Sequence, residues 1–71
     1  MAEGTVKTIR DEKGFGFITP EDGGKDIFFH ASVVQDTTFD QLREGDRVSF
    51  GAGPDQRAPS RMRAEFVRLP D

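Results

Sequence analysis

Two short segments of this chain carry ring side chains at a spacing that a strand would align. Lys13-Gly14-Phe15-Gly16-Phe17-Ile18 sets Phe15 and Phe17 two residues apart, and Asp26-Ile27-Phe28-Phe29-His30 does the same for Phe28 and His30. In a strand, residues i and i+2 share a face. Each segment therefore shows a pair of flat rings on one side. Gly14, Gly16 and Ile18 face the other way in the first segment, as Ile27 and Phe29 do in the second. If the two strands pair, the rings gather on one outer surface beside Lys13. Such a surface, rings next to positive charge, is one on which single-stranded nucleic acid stacks its bases.

Phenylalanine is usually buried, so a core role for Phe15, Phe17 and Phe28 is the competing expectation. The supply of other apolar residues decides against it. Val6, Ile9, Ile18, Ile27, Phe29, Val33, Leu42, Val48, Phe50, Val67 and Leu69 furnish a core for a chain of 71 residues. Turning Phe15 inward would also turn Ile18 outward, because a one-residue slip flips every side chain of a strand. His30 is the sole histidine and there is no cysteine, so a structural zinc site is not expected. Gly14-Phe15-Gly16 lacks the third glycine and the following helix of a dinucleotide fingerprint. No nucleophile–base arrangement, paired-carboxylate arrangement or phosphate loop is present. Neither catalysis nor a cofactor or small-molecule substrate is expected.

The elements that must position these rings are short and β-rich. Thr5 to Arg10 is β-branched and partly alternating, a first strand. Asp11-Glu12-Lys13-Gly14 reads as a turn into a second strand, Gly14 to Thr19, and turn-linked neighbours form hairpins. Pro20-Glu21-Asp22-Gly23-Gly24 is a strong turn signal before a third strand, Asp26 to His30. Ser32 can cap a short helical turn through Val33 and Val34. Residues 35–45 lack either period and read as a loop. Arg47 to Phe50 alternates as a fourth strand, residues 51–60 form a Gly/Pro-rich loop, and Met62 to Leu69 is a final strand. Five short strands with almost no helix predict an all-β barrel or sandwich in one domain. Gly14 and Gly16 leave one side of the second strand without side chains, which lets it coil as a small barrel requires.

The net charge of −3 argues mildly against a nucleic-acid partner. Its distribution softens the point. Asp36, Asp40, Glu44 and Asp46 outweigh Arg43 in residues 36–46, whereas Arg57, Arg61, Arg63 and Arg68 outweigh Glu65 in residues 57–68. A basic patch can therefore coexist with a negative total. A binder of this composition leans on stacking more than on charge. No apolar run approaches the ~18 residues of a membrane span, and no charged-then-apolar leader opens the chain. A soluble, cytoplasmic monomer is expected, with no membrane partner.

The two ring segments, in this order and at hairpin spacing, closely resemble the two ribonucleoprotein motifs of the cold-shock domain family. Gly4-Thr5-Val6-Lys7, Thr19-Pro20, Leu42-x-x-Gly45-x-x-Val48-x-Phe50 and Arg63-Ala64-Glu65-Phe66-Val67 are similar to that family as well, so the resemblance spans nearly the whole chain. It implies a five-stranded antiparallel β-barrel of the oligonucleotide-binding type, the OB-fold. It also implies binding of single-stranded RNA and DNA, in an RNA chaperone or a cold-shock-type regulator of transcription or translation. By position, Phe15, Phe17, Phe28 and His30 resemble the stacking platform, and Phe39 a further aromatic contact. Lys7, Lys13 and Arg57 match basic contact positions, and Asp26 an acidic one that accepts hydrogen bonds from a base edge. The chain departs from the pattern where Lys7-Thr8-Ile9-Arg10 stands for the usual Lys-Trp-Phe-Asn, and where Ala31 stands for a common Phe. These departures imply a smaller platform, with Arg10 able to contribute through phosphate contact or stacking. They also motivate an alternative, a protein-interaction or regulatory barrel with reduced nucleic-acid binding.

Overall fold

The alternating segments of the sequence form strands in the structure, a computed structural model that describes residues 2–54 and 62–70. The strands are β1 (Ala2–Arg10), β2 (Phe15–Pro20), β3 (Ile27–His30), β4 (Arg47–Pro54) and β5 (Met62–Arg68). Single turns of 3-10 helix, Ala31–Val33 and Phe39–Gln41, lie between β3 and β4. The strands close in the order β1-β2-β3-β5-β4, with β4 returning to β1. Closure removes the free edges that an open five-stranded sheet would expose. Every ladder is antiparallel except the closing one, where Phe28 of β3 pairs in parallel with Arg63 of β5.

Two bulges bend this short sheet into a barrel. In β1 the register shifts between Val6 and Thr8, so Val6 faces Ile18 and Thr8 faces Phe17, with Lys7 as the extra residue. In β5 the shift falls opposite Gly51 and Ala52, which pair with Phe66 and Ala64 and leave Glu65 over. Each bulge lets residues three apart turn inward on one strand: Val6 and Ile9 in β1, Ala64 and Val67 in β5.

The core inside the barrel is Val6, Ile18, Ile27, Phe29, Leu42, Val48, Phe50, Ala64 and Val67, with Ile9, Val33, Val34 and Phe39 packed against it. Leu69, expected in this core, is 45% exposed instead, because β5 ends at Arg68 and the chain has left the barrel by then. Strand β4 runs to Pro54, four residues beyond the expected end at Phe50. Gly51 and Gly53 belong to it because they admit side chains of β5 over the sheet: Phe66 covers Gly51, and Glu65 covers Gly53. The loop expected over residues 35–45 holds the second 3-10 turn, and Phe39 at its start packs edge-on to Phe29, centroids 6.0 Å apart.

Gly14 and Gly16 serve different ends. Gly14 sits in the β1–β2 turn with φ of +72° and open space where a Cβ would go, so its role there is the left-handed turn rather than strand coiling. Gly16 is buried in β2, and a Cβ on it would stand 2.5 Å from the Thr8 carbonyl oxygen and 2.9 Å from the Phe29 ring. Only glycine lets β1 and the central ring of the core come this close.

Candidate nucleic-acid interface

Strands β2 and β3 pair Phe15 with His30, Gly16 with Phe29, Phe17 with Phe28 and Ile18 with Ile27. Ile18, Ile27 and Phe29 are buried, so pleating turns Phe15, Phe17, Phe28 and His30 to the outer face. The facing assignment read from the sequence is the one the fold adopts. The three phenylalanine rings form a continuous patch, with centroids 5.4 Å apart for Phe15–Phe28 and 5.9 Å for both Phe15–Phe17 and Phe17–Phe28. Phe15 and Phe28 are tilted by 38°, whereas Phe17 stands edge-on to both. Such edge contacts hold the rings in place without a partner. All three are half-buried, and His30 is exposed.

His30 is oriented by Ser32. Its Nδ1 accepts the Ser32 backbone N–H at 3.1 Å, capping the first 3-10 turn, and lies 3.0 Å from the Ser32 hydroxyl. With Nδ1 accepting, a neutral ring carries its proton on Nε2.

The register extends the patch into two rows across the sheet. One row runs Thr8, Phe17, Phe28, Arg63, and the other Arg10, Phe15, His30. The bulge at Lys7 puts Thr8 directly beside Phe17, so the missing strand-one ring leaves a gap at the end of the first row. Strict alternation would have separated Lys7 from Thr8; the bulge shows itself in sequence only as the two core residues Val6 and Ile9, three apart.

The charged positions frame this patch. Lys13 is exposed in the β1–β2 turn. Lys7 pairs with Asp26 at 3.0 Å, and the other Asp26 oxygen accepts the Thr19 hydroxyl at 3.1 Å. The Lys7 hydrogen bond, with help from Thr19 and the Lys7 charge, holds the Asp26 carboxyl below its usual range against some opposition from desolvation. Both oxygens of Asp26 are thus engaged, and a base edge would have to exchange with Lys7 or Thr19 to reach them. Phe39 is half-buried against Phe29 and does not join the three-ring patch. Arg57 lies outside the described residues. Among the described residues, no three His, Asp or Glu side chains gather as a metal-binding group.

Sequence reading gave no direction for Phe66 and no role to Arg63. Phe66 pairs with Gly51 and fills the space that glycine leaves, an aromatic cover on the sheet. Arg63 stands in the first ring row. Its position could not be read from sequence because the pairing of β3 with β5 is non-local and parallel.

A closed five-stranded barrel with an outward ring patch on its second and third strands is an oligonucleotide-binding-type barrel. Residues 2–69 match the family model of the "'Cold-shock' DNA-binding domain". The chain is 50% identical over 58 residues to cold shock-like protein CspE of Escherichia coli, covering 82% of this chain and 84% of that protein. It is 52% identical over 54 residues to cold shock protein CapA of Pseudomonas fragi, covering 76% and 84% respectively. Glycine-rich protein 2 of Nicotiana sylvestris is 46% identical over 70 residues, 99% of this chain but 32% of the plant protein. Among solved structures, drosophila Unr CSD456 superposes with a TM-score of 0.78 at 26% identity, over 99% of this chain and 26% of that one. The chain belongs to the cold-shock domain family. It is a nucleic-acid-binding protein of the cold-shock type, in a family without enzymatic activity.

Proposed function

We propose that this protein is an RNA chaperone or cold-shock-type regulator that holds single-stranded RNA or DNA by stacking bases on Phe15, Phe17, Phe28 and His30. One observation carries the reading: three phenylalanine rings lie in mutual contact on the outer face of a barrel whose core is already filled. Apolar rings held at a surface by their own edge contacts offer faces that any base can cover. Lys7 and Lys13 border the patch and reach phosphates, Asp26 and Phe39 are secondary contacts, and Arg57 is a further basic contact in this reading. Kinship with small bacterial cold-shock proteins fits action in the cytoplasm as a monomer.

The mechanism is mass action. A protein that binds unpaired bases favours open strands over hairpins by its difference in affinity for the two. The test is an RNA hairpin carrying a fluorophore and a quencher at its ends. Fluorescence should rise with protein concentration without ATP, and the rise should vanish in a folded Phe15→Ala/Phe28→Ala variant. An unchanged signal at saturating protein would contradict the chaperone reading.

The alternative, a protein-interaction barrel, drew on the acidic segment 36–46. Much of that acidity serves the fold. Asp36 pairs with Arg68 at 3.3 Å, Glu44 accepts the Ile9 N–H at 3.1 Å, and Asp46 accepts the Arg43 N–H at 3.0 Å. The geometry favours the stacking reading.

A further inference from the structure

We propose that Arg63 reads a base: its guanidinium binds the edge of the nucleotide stacked on Phe28 and gives this protein a preference for guanine at that position. The proposal rests on the stacking reading above and adds a determinant of specificity to it.

Arg63 is the parallel-ladder partner of Phe28, the only such residue pair that joins β3 to β5 among the described residues. Ladder partners lie ~4.8 Å apart and point to the same face. Its neighbour Ala64 is in the core, so Arg63 projects outward with Phe28. A base lying on the Phe28 ring is wider than one strand spacing. Its edge therefore overhangs β5, where the arginine stands.

The second observation concerns hydrogen bonding. Among the described residues, the buried Arg63 Nε has no hydrogen-bond partner. A guanidinium N–H buried without an acceptor carries an uncompensated desolvation cost, which a side-chain shift that brings it a base acceptor would relieve. By contrast, Arg47 of β4 and Arg68 of β5 are committed to carboxylates, Arg47 to Glu3 at 3.1 Å and Arg68 to Asp36 at 3.3 Å. Phosphates are less suited to satisfy Arg63, since it sits within the ring row rather than at the lysine-bearing rim. Guanine presents two adjacent acceptors, O6 and N7, that match the planar fork of arginine. Thymine offers a single carbonyl on that edge and cannot engage both arms.

The experiment compares labelled oligothymidine roughly eight nucleotides long, within the span of one such barrel, with versions carrying one guanine at each position in turn. Wild type should bind at least one guanine-containing version roughly tenfold more tightly than oligothymidine, as one bidentate contact supplies. Arg63→Gln should erase that preference while leaving oligothymidine binding nearly unchanged. Arg63→Lys keeps the charge but not the fork, and should also lose the preference; it serves as the readout should Arg63→Gln not fold. Retention of the preference in a folded variant overturns the proposal, as does its absence from wild type. A uniform loss over all oligomers, with a shallower salt dependence, would assign Arg63 to phosphate and overturn base reading. Phe28→Ala separates the two layers. If it weakens every oligomer while Arg63 variants change nothing, stacking stands and the base contact falls. If wild type binds no oligomer, both fall.

Discussion

At the scale of single residues, the account turns on which rings are core and which are surface. Phe28 and Phe29 are adjacent in sequence and opposite in role. Phe29 is fully buried, so Phe29→Ala should destabilise the barrel by ~3–5 kcal/mol, read from thermal or denaturant unfolding. Phe28 is half-buried and touches Phe15 and Phe17, so Phe28→Ala should lose only about 1 kcal/mol, from ring–ring contacts. Its larger effect should be on binding, roughly 1–3 kcal/mol per base stacked. Equal stability losses for the two variants would overturn the facing assignment. Thr8 supplies the complementary prediction. It lies beside Phe17 at the open end of the first row, so Thr8→Trp should extend the platform. Binding to an oligonucleotide should tighten by ~1 kcal/mol or more, about the value of one stacked base. No gain from a folded Thr8→Trp protein would mean that the strand does not run over that end.

At the scale of elements, alternation within β2 and β3 was legible because these strands are regular and their apolar residues fall two apart. Ile18, Ile27 and Phe29 point inward, and Phe15, Phe17, Phe28 and His30 follow on the other face. Strands β1 and β5 were harder. Bulges break their period, so Val6 and Ile9, or Ala64 and Val67, lie three apart and still share the core. The extension of β4 through Gly51-Ala52-Gly53-Pro54 was hidden by residues that signal a loop; cover from Phe66 and Glu65 overrides that signal. The placement of Arg63 beside Phe28 arises only when the barrel closes. Gly16 links element to site, since it lets β1 and Phe29 approach behind the ring strand. Gly16→Ala should cost about 1–3 kcal/mol through overpacking, measured as a fall in melting temperature. A variant with wild-type stability would show that β1 and β2 have room to separate.

At the scale of the molecule, a barrel of net charge −3 is asked to hold a polyanion. Among the described residues, Arg10 and Arg63 stand in the ring rows and Lys7 and Lys13 at their border, and Lys7 already pairs with Asp26. On the proposed stacking reading the rings supply most of the affinity, and few counterions are released. For single strands the logarithm of affinity falls with log salt at a slope of about −0.7 per phosphate neutralised, so a slope of roughly −1 to −2 is expected. The measurement that tests this most directly is the anisotropy of a labelled oligothymidine titrated with wild type and Phe28→Ala at low and high salt. The label is required because the chain contains no Trp or Tyr. The account predicts a Kd on the order of micromolar or tighter, a shallow salt slope, and marked weakening in a folded Phe28→Ala protein. Absence of binding at low salt by folded wild type, or binding indifferent to Phe28 and steeply salt-dependent, would contradict it.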